Sequence, residues 1–354
     1  MKRHPLKILI LKPSSLGDVI QALPVLRLLK LHFPKSEIYW WIDTALAPLL
    51  AADRDLAGII PFERKRWASP HRWHELFTSI LEMRDQRFDW VIDLQGLARS
   101  GMFAWLANGD KVIGVEDPRE GASGFYDMRV PRPSSATHAV DWYLNVIRHL
   151  NIPVHWDFEW MPANEYMRAV VVQKWQPQPW RWMAIIPGAR WGNKRWPVEH
   201  FTELVKQASG EFPAFRLVIL GGKSDAGLGA QIASGAPDRC LNLTGKTTLL
   251  EMVEWIRLSE VVVSNDTGPM HIAAALKKPT VALFGPTNPL RTGPYGQVND
   301  VMRIALPCAP CMKDTCSFVK PLECLRGIPP HSVLEVVRQR LMRAAPVQSA
   351  DAAR

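Results

Sequence analysis

The organisation of the chain is decided by a short stretch near its start, residues 7–18, which read KILILKPSSLGD. The apolar run from Lys7 to Lys12 predicts a strand. The small and polar residues that follow predict a loop leading into an amphipathic helix from about Val19 to His32. A strand, a loop and a helix in this order are typical of α/β proteins, in which a parallel sheet carries helices on both faces.

The same alternation continues along the chain and predicts two sheets. In the first half we expect strands at 38–42, 59–62 and 90–94, and helices near 74–87, 97–107 and 139–150. Sequence rich in Pro and Trp follows, to about residue 178, without clear periodicity. A second series then begins, with strands or helices at 183–186, 201–208, 216–220, 249–258, 261–264, 271–276 and 280–284, and with a last helix at 333–342.

The chain has 354 residues, which is too long for a typical single core and fits two domains. We therefore expect two doubly wound, Rossmann-like α/β domains, at residues 1–165 and 181–330. A linker is expected at 166–180, and a C-terminal helix and tail at 331–354. Ligands of open parallel sheets bind beyond the carboxyl ends of the strands, so two such domains facing each other would form a cleft between their loops.

Composition narrows the functional classes. Hydrophobic residues make up 47% of the chain and charged residues 22%, as in a folded globular protein. The net charge of +9, concentrated at residues 63–67 and 181–195, indicates an anionic partner such as a nucleotide sugar, an anionic lipid surface or nucleic acid. No apolar run is long enough for a membrane span, no signal peptide is recognised, and the five cysteines do not resemble a disulfide framework. We expect a reducing, cytoplasmic compartment.

Residues 264–271, SNDTGPMH, join a predicted strand to a predicted helix. Small and polar residues at this point leave the backbone N–H groups of the first helical turn free, and these groups attract phosphate. A diphosphate could bind there. The alternative is an ordinary Asp or Thr helix cap followed by Pro.

Residues 187–197, PGARWGNKRWP, combine glycine with several cations at another strand end. Lys194 and its basic neighbours could stabilise the negative charge that develops on a departing diphosphate. The alternative is a solvated basic loop.

Asp18 lies where the first loop meets the first helix, and its carboxylate could take a proton from an acceptor hydroxyl. A helix N-terminus stabilises the negative charge and so weakens a base, which makes a helix cap the alternative. Asp53-Arg54-Asp55 has the form of a metal-nucleotide motif, but we interpret it as a surface turn. Residues 244–247 imitate a phosphate-binding loop, but Cys240 stands where that motif requires Gly.

Several motifs together resemble glycosyltransferase family nine, the ADP-heptose:lipopolysaccharide heptosyltransferases. These are KPSSLGDVIQALP at 12–24, FDWVIDLQGLARS at 88–100, GNKRWP at 192–197, SNDTGPMHIAAAL at 264–276 and FGPTNP at 284–289. The resemblance runs over nearly the whole chain. Residues 118–120 and 136–141 resemble heptosyltransferase I more than heptosyltransferase II.

The resemblance implies a GT-B fold and an inverting transfer that needs no metal or other cofactor. It makes Asp18 the catalytic base. It also implies that the second domain binds an ADP-sugar donor, through Lys194, Asp266, Thr267, Gly268 and His271.

The acceptor implied by the resemblance is a Kdo-bearing lipid A at the cytoplasmic face of the inner membrane, with no nucleic acid partner. Its carboxylates and phosphates require cations in the first domain, and Arg64, Lys65, Arg66 and Arg119 fit that need. Two rivals remain open: a GT-B transferase that uses another nucleotide sugar, and a non-catalytic protein that binds anionic lipid or nucleic acid.

Four of the cysteines follow a C-x2-C-x4-C-x7-C pattern, at Cys308, Cys311, Cys316 and Cys324. Four reduced thiolates within tetrahedral reach bind zinc or iron, and similar clusters occur in the family that the chain resembles. Any such metal would be structural rather than catalytic. The alternative is a set of buried free thiols.

Overall fold

A computed structural model describes residues 4–117, 120–177 and 179–344. The chain divides into two compact units, with the division between Pro162 and Ala163. Each unit contains one wholly parallel sheet covered by helices, which confirms the predicted α/β class.

The first unit contains a six-stranded sheet in the order β3-β2-β1-β4-β5-β6. The central strand β1 is almost completely buried, because a strand covered on both faces needs the continuous apolar run that KILIL supplies. The helices α1 and α4 pack against each other, whereas α2 and α3 share a core cluster over the sheet with Leu9 and Trp41. The elements are β1 Lys7–Leu11, α1 Leu16–His32, β2 Glu37–Asp43, β3 Gly58–Phe62, α2 Trp73–Asp85, β4 Trp90–Asp93, α3 Ala98–Leu106, β5 Lys111–Glu116, β6 Met128–Pro131 and α4 Ala139–His149.

The second unit contains a five-stranded sheet in the order β11-β10-β7-β8-β9. Its core combines strand residues such as Ile185 and Val263 with Phe201 and Val337 from two covering helices. The elements are α5 Glu165–Trp175, β7 Arg181–Ile186, α6 Val198–Glu211, β8 Phe215–Ile219, α7 Ala226–Ala233, β9 Cys240–Asn242, α8 Leu249–Leu258, β10 Ser259–Asn265, α9 Gly268–Ala275, β11 Thr280–Leu283, α10 Pro289–Thr292, α11 Glu323–Arg326 and α12 Pro330–Ala344.

The segment expected as a linker, residues 166–180, differs from that expectation because most of it is the helix α5. This helix packs on α8 of the second unit, and its Lys174 forms a 2.7 Å ion pair with Glu251. Apolar side chains lie all around α5 with no polar face, so the sequence lacks the periodicity that identifies an amphipathic helix. Long-range packing therefore decides the structure of this segment.

Asp53-Arg54-Asp55 forms a turn with an exposed Arg54, as expected, but its two carboxylates do not simply face solvent. Asp53 and Asp55 bind the guanidinium of Arg27 at 2.5 and 2.6 Å, and the side chain of Arg27 is only 4% exposed. Arg27 also donates to the backbone oxygen of Trp160 at 3.0 Å. Burial opposes the charge of Arg27, but the two carboxylates outweigh it and raise the pKa of the guanidinium. Asp53 and Asp55 thus form an ion-pair network with Arg27, and this network connects α1 to two loops.

Among the described residues, no helix combines the length and the apolarity that crossing a membrane would require.

The Arg27 network predicts a large loss of stability when its cation is removed. Arg27→Met leaves the mostly buried Asp53 without its counter-charge, and breaking a buried pair in this way costs about 3 to 5 kcal/mol. Urea unfolding should show this loss. Arg54→Met is the matched control, because Arg54 is exposed in the same turn. Equal unfolding free energies for the two variants would contradict the account.

Candidate active site

In the first unit, Asp18 lies in the first turn of α1, directly after the loop that leaves β1. Its Oδ2 accepts hydrogen bonds from the backbone N of Ser15 at 2.8 Å and from the Ser15 hydroxyl at 2.7 Å. The carboxylate therefore caps the helix, which was the structural alternative for this residue. Both bonds go to one oxygen and fix the orientation of a partly exposed carboxylate at the carboxyl end of the sheet.

Lys12 is a buried cation close to Asp18 that the sequence analysis did not select. Its side chain is 2% exposed, its Nζ donates to the backbone oxygen of Leu94 at 3.0 Å, and it lies 4.8 Å from the centre of the Tyr143 ring. Burial opposes the charge, but Tyr143 and Asp18 together raise the pKa of Lys12. A permanent positive charge thus faces the region of Asp18. The available signal was that Lys12 directly follows the buried apolar run at residues 8–11.

Asp93, at the end of β4, is another carboxylate at this sheet edge, and it has a structural role. It accepts hydrogen bonds from the backbone N of Gln95 at 2.8 Å and from the Tyr126 hydroxyl at 2.7 Å. Asp93 is completely buried, and this burial raises its pKa. Because the carboxylate is completely buried, an acceptor hydroxyl cannot reach it.

The three basic residues expected to bind the acceptor lie in the turn that follows β3. Arg64 and Lys65 are exposed, and within the described part of the chain no carboxylate pairs with either of them. Arg66 is different, because its guanidinium forms a 2.8 Å ion pair with Glu75. The fourth expected residue, Arg119, lies outside the described residues.

In the second unit, Asn265 at the end of β10 positions the basic loop 187–197. Its Nδ2 donates to the backbone oxygen of Pro187 at 2.8 Å, and its Oδ1 accepts from the backbone N of Trp196 at 3.1 Å. One buried amide therefore holds both ends of the loop against the neighbouring strand, as β7 and β10 are paired in the sheet. The sequence analysis did not select Asn265.

This loop brings Lys194 to Asp266. The Lys194 Nζ lies 2.6 Å from Asp266 Oδ2, and the Thr287 hydroxyl donates to the same oxygen at 2.5 Å. Asp266 is followed by Thr267 and by Gly268, where α9 begins. His271 lies one turn further along α9 and is buried. Four of the five expected donor residues therefore lie together at the start of α9, namely Lys194, Asp266, Thr267 and Gly268.

Thr267 and Pro269 also line a cavity of about 540 Å³ at the carboxyl ends of the second sheet. The lining of the cavity includes the polar residues Arg190, Arg195 and Asp225 and the apolar residues Leu249 and Met252.

Asp225 is held in place by the backbone N of Gly222, which donates to it at 2.9 Å. The carboxylate fits so closely against Gly188 that a Cβ there would overlap it. Asp225 was missed by the sequence analysis. Also missed was Thr247, which lines the cavity although its segment had been set aside as an imitation of a phosphate loop.

The structure gives no support for a metal site at Cys308, Cys311, Cys316 and Cys324. No group of three or more His, Cys, Asp or Glu side chains is arranged to hold a metal ion in the described residues. The thiols have different surroundings: Cys316 is exposed and accepts from the backbone N of Leu322 at 3.3 Å, whereas Cys324 packs against the second core. Burial, together with the neighbouring cysteines, raises the pKa of Cys324.

Solved structures of known enzymes share this architecture. The ADP-heptose lipopolysaccharide heptosyltransferase II of E. coli matches with a TM-score of 0.76 at 25% identity, over 96% of this chain and 99% of that one. The E. coli heptosyltransferase WaaC, solved with ADP, has a TM-score of 0.74 at 23% identity, over 95% of this chain and 100% of that one, and shows the fold alone. The fold is therefore that of the GT-B heptosyltransferases.

Curated relatives agree with the structural matches. Lipopolysaccharide heptosyltransferase 1 of Pseudomonas aeruginosa is 29% identical over 322 residues, which cover 88% of each chain. Lipopolysaccharide heptosyltransferase 2 of Escherichia coli is 27% identical over 315 residues, with 84% of this chain and 88% of the relative covered.

The family model described as glycosyltransferase family 9 (heptosyltransferase) matches residues 64–321, which include the donor-side loop, the cavity and the start of α9. The chain therefore belongs to glycosyltransferase family 9, the heptosyltransferases.

Proposed function

We propose that the chain transfers heptose from ADP-heptose to a Kdo-bearing lipid A acceptor in the synthesis of the lipopolysaccharide inner core. The observation that carries this proposal is the 2.6 Å contact between Lys194 and Asp266 beside the start of α9 and the cavity. A cation at a helix N-terminus is suited to a diphosphate, because both favour negative charge. The relatives named above are heptosyltransferases, which supports heptose as the sugar.

The donor would occupy the cavity of the second unit. Its volume of about 540 Å³ is in the range of pockets that hold nucleotide-sized ligands. The base would pack on Leu249 and Met252, and a ribose hydroxyl would donate to Asp225. The diphosphate would then meet Thr267 and Lys194 at the start of α9.

The reaction would be a single displacement with inversion. Asp18 takes the proton of the acceptor hydroxyl as the hydroxyl oxygen attacks the anomeric carbon, and the bond from that carbon to the diphosphate oxygen breaks. ADP leaves with the bonding electrons, and Lys194 stabilises the charge that develops on it. Neither a metal nor another cofactor takes part in this scheme, as the family resemblance implies.

The acceptor would bind the first unit through Arg64, Lys65 and Arg66. Kdo carries carboxylates and lipid A carries phosphates, so unpaired cations such as Arg64 and Lys65 are suitable contacts. Because this acceptor is anchored in a membrane and the donor is a soluble nucleotide sugar, the enzyme would work at the cytoplasmic face of the inner membrane. Nucleic acid is not among its proposed partners.

The first prediction concerns the base. Asp18→Asn should lower the transfer rate about a hundredfold to ten-thousandfold, because the amide cannot accept the proton. An Asn oxygen can still accept from the backbone N of Ser15, so the helix cap is retained. Initial rates with ADP-heptose, and ADP binding by calorimetry, should show a loss of turnover with unchanged donor affinity. Asp110→Asn, in an exposed turn before β5, is the control. Wild-type turnover of the Asp18 variant would mean that another group is the base.

The second prediction concerns the donor. ADP should raise the melting temperature of the wild-type protein more than UDP or GDP, since a ligand that binds only the native state stabilises it. Lys194→Ala should reduce this shift and also lower kcat. Lys206→Ala, which removes an exposed lysine from α6, should change neither. A larger increase in melting temperature with UDP or GDP would indicate that the donor is a different nucleotide sugar.

The third prediction concerns the acceptor. Changing Arg64, Lys65 and Arg66 to Gln should raise the KM for an acceptor fragment without acyl chains on the order of a hundredfold, at about 1 kcal/mol per cation. The effect should weaken with added salt, because exposed charges are screened. Lys35, Arg54 and Arg129, all exposed in the same unit, provide a control with the same change of charge. An unchanged KM at low salt would place the acceptor elsewhere.

A further inference from the structure

The helix α2 carries more apolar surface than the core covers. Leu76, Ile80 and Met83 pack into the first unit, with Met83 only 1% exposed. A second apolar stripe runs beside them at intervals of four residues, which places its members on one side of the helix. The stripe consists of Trp73, Phe77 and Leu81, which are 52%, 62% and 61% exposed.

The neighbouring helix α3 extends this apolar surface. Its Met102 and Trp105 are 40% and 59% exposed, while Phe103 and Ala104 face the core. Because α2 and α3 pack together and share one core cluster on one face of the sheet, their outer sides belong to the same layer. Five large apolar side chains are therefore exposed on this layer, and extended exposed apolar surface marks an interaction site. We call this set the α2–α3 surface.

Exposed cations lie on α2 and α3 and in the turn that precedes α2. Arg64 and Lys65 precede α2, Arg84 lies in its last turn, and Arg99 lies one turn before Met102; all four are exposed. Of the carboxylates on α2, Glu75 is neutralised by ion pairs with Arg66 and Arg72. Glu82 is exposed on another side of the helix, whereas Asp85, four residues after Leu81, is exposed at the C-terminal end of the apolar stripe.

We propose that the α2–α3 surface docks the enzyme on a bilayer that contains anionic phospholipids. An apolar helix face bordered by Lys and Arg, with Trp among its apolar residues, matches the chemistry of the headgroup boundary. The apolar side chains enter this boundary while the cations contact the lipid phosphates. The proposal rests on the proposed function, because a lipid-anchored acceptor is what requires the enzyme to work at a membrane.

Vesicle binding by the full-length protein tests this surface without donor or acceptor. Wild-type protein should sediment with vesicles of phosphatidylcholine and phosphatidylglycerol, and much less with phosphatidylcholine alone. The triple change Trp73→Ser, Phe77→Ser and Leu81→Ser should lower the partition coefficient of the protein onto vesicles on the order of a hundredfold. The reason is that three apolar side chains are no longer transferred from water into the bilayer. Arg84→Gln with Arg99→Gln should reduce the preference for the anionic vesicles.

A matched control removes exposed apolar side chains from the second unit instead. Tyr166, Val172 and Met342 are 76%, 49% and 68% exposed, and changing them to Ser should leave vesicle binding unchanged. The α2 variant should retain the wild-type melting temperature and the wild-type kcat on an acceptor fragment without acyl chains. This separates the inference from the proposed function, which the ADP and transfer assays test independently.

Two results would overturn the proposal. One is an α2 variant that binds anionic vesicles as the wild type does. The other is a wild-type protein that dimerises without vesicles and becomes monomeric in the α2 variant, because the surface would then be an interface between two copies of the chain.

Discussion

The donor side of the structure depends on the contact between Lys194 and Asp266. Asp266 is 5% exposed, and a carboxylate so deeply buried is stable only when opposite charge and hydrogen bonds surround it. Lys194 supplies the charge and Thr287 supplies a hydrogen bond. Both partners come from loops at the carboxyl end of one sheet, so the pair fixes the geometry of the place where a diphosphate would bind. An arriving diphosphate would share the ammonium group with Asp266 rather than meet an unpaired cation.

The parallel sheet explains why this contact can form. Because β7 and β10 are neighbours, their carboxyl ends bring the basic loop and the start of α9 together although about 70 residues separate them. Asn265 then fastens the loop with two hydrogen bonds. The first unit has a comparable arrangement. Lys12 and the loop that contains Asp18 follow β1 at one edge of the sheet, and the buried Lys12 supplies positive charge near the Asp18 carboxylate.

The elements of the fold and the site residues could be predicted from the sequence where the motif that defines them is local. The strand–loop–helix unit at residues 7–32 and the helix Leu249–Leu258 were found because their apolar runs are local in the chain. The expectation that α1 is amphipathic was wrong, because residues 19–29 are buried on all sides of the helix. Asp18, Lys194 and Asp266 could be selected because each lies in a compact motif that follows a predicted strand. The strands β5, β6 and β9 were not found. Of these, β6 and β9 have only four and three residues and are defined by their neighbours in the sheet. The helix α5 was missed because its contacts with α8 replace amphipathic periodicity.

The site residues that the sequence did not reveal were missed for a common physical reason. The cavity is built from residues 186–195, 221–225, 247–252 and 267–269, and only the topology of the sheet brings these segments together. Asp225 has no local feature that distinguishes it from other loop residues, and Thr247 was set aside because its segment lacks the first Gly of a phosphate-binding loop. The partners of Arg27 were likewise hidden, since Asp53 and Asp55 come from a different loop.

A crystal structure of the complex with ADP would test the central claim most directly. The account predicts that the diphosphate lies within hydrogen-bond distance of the Lys194 ammonium group and of the backbone at the start of α9. The base would rest on Leu249 and Met252. A diphosphate bound elsewhere, with the contact between Lys194 and Asp266 unchanged and the cavity empty, would contradict it.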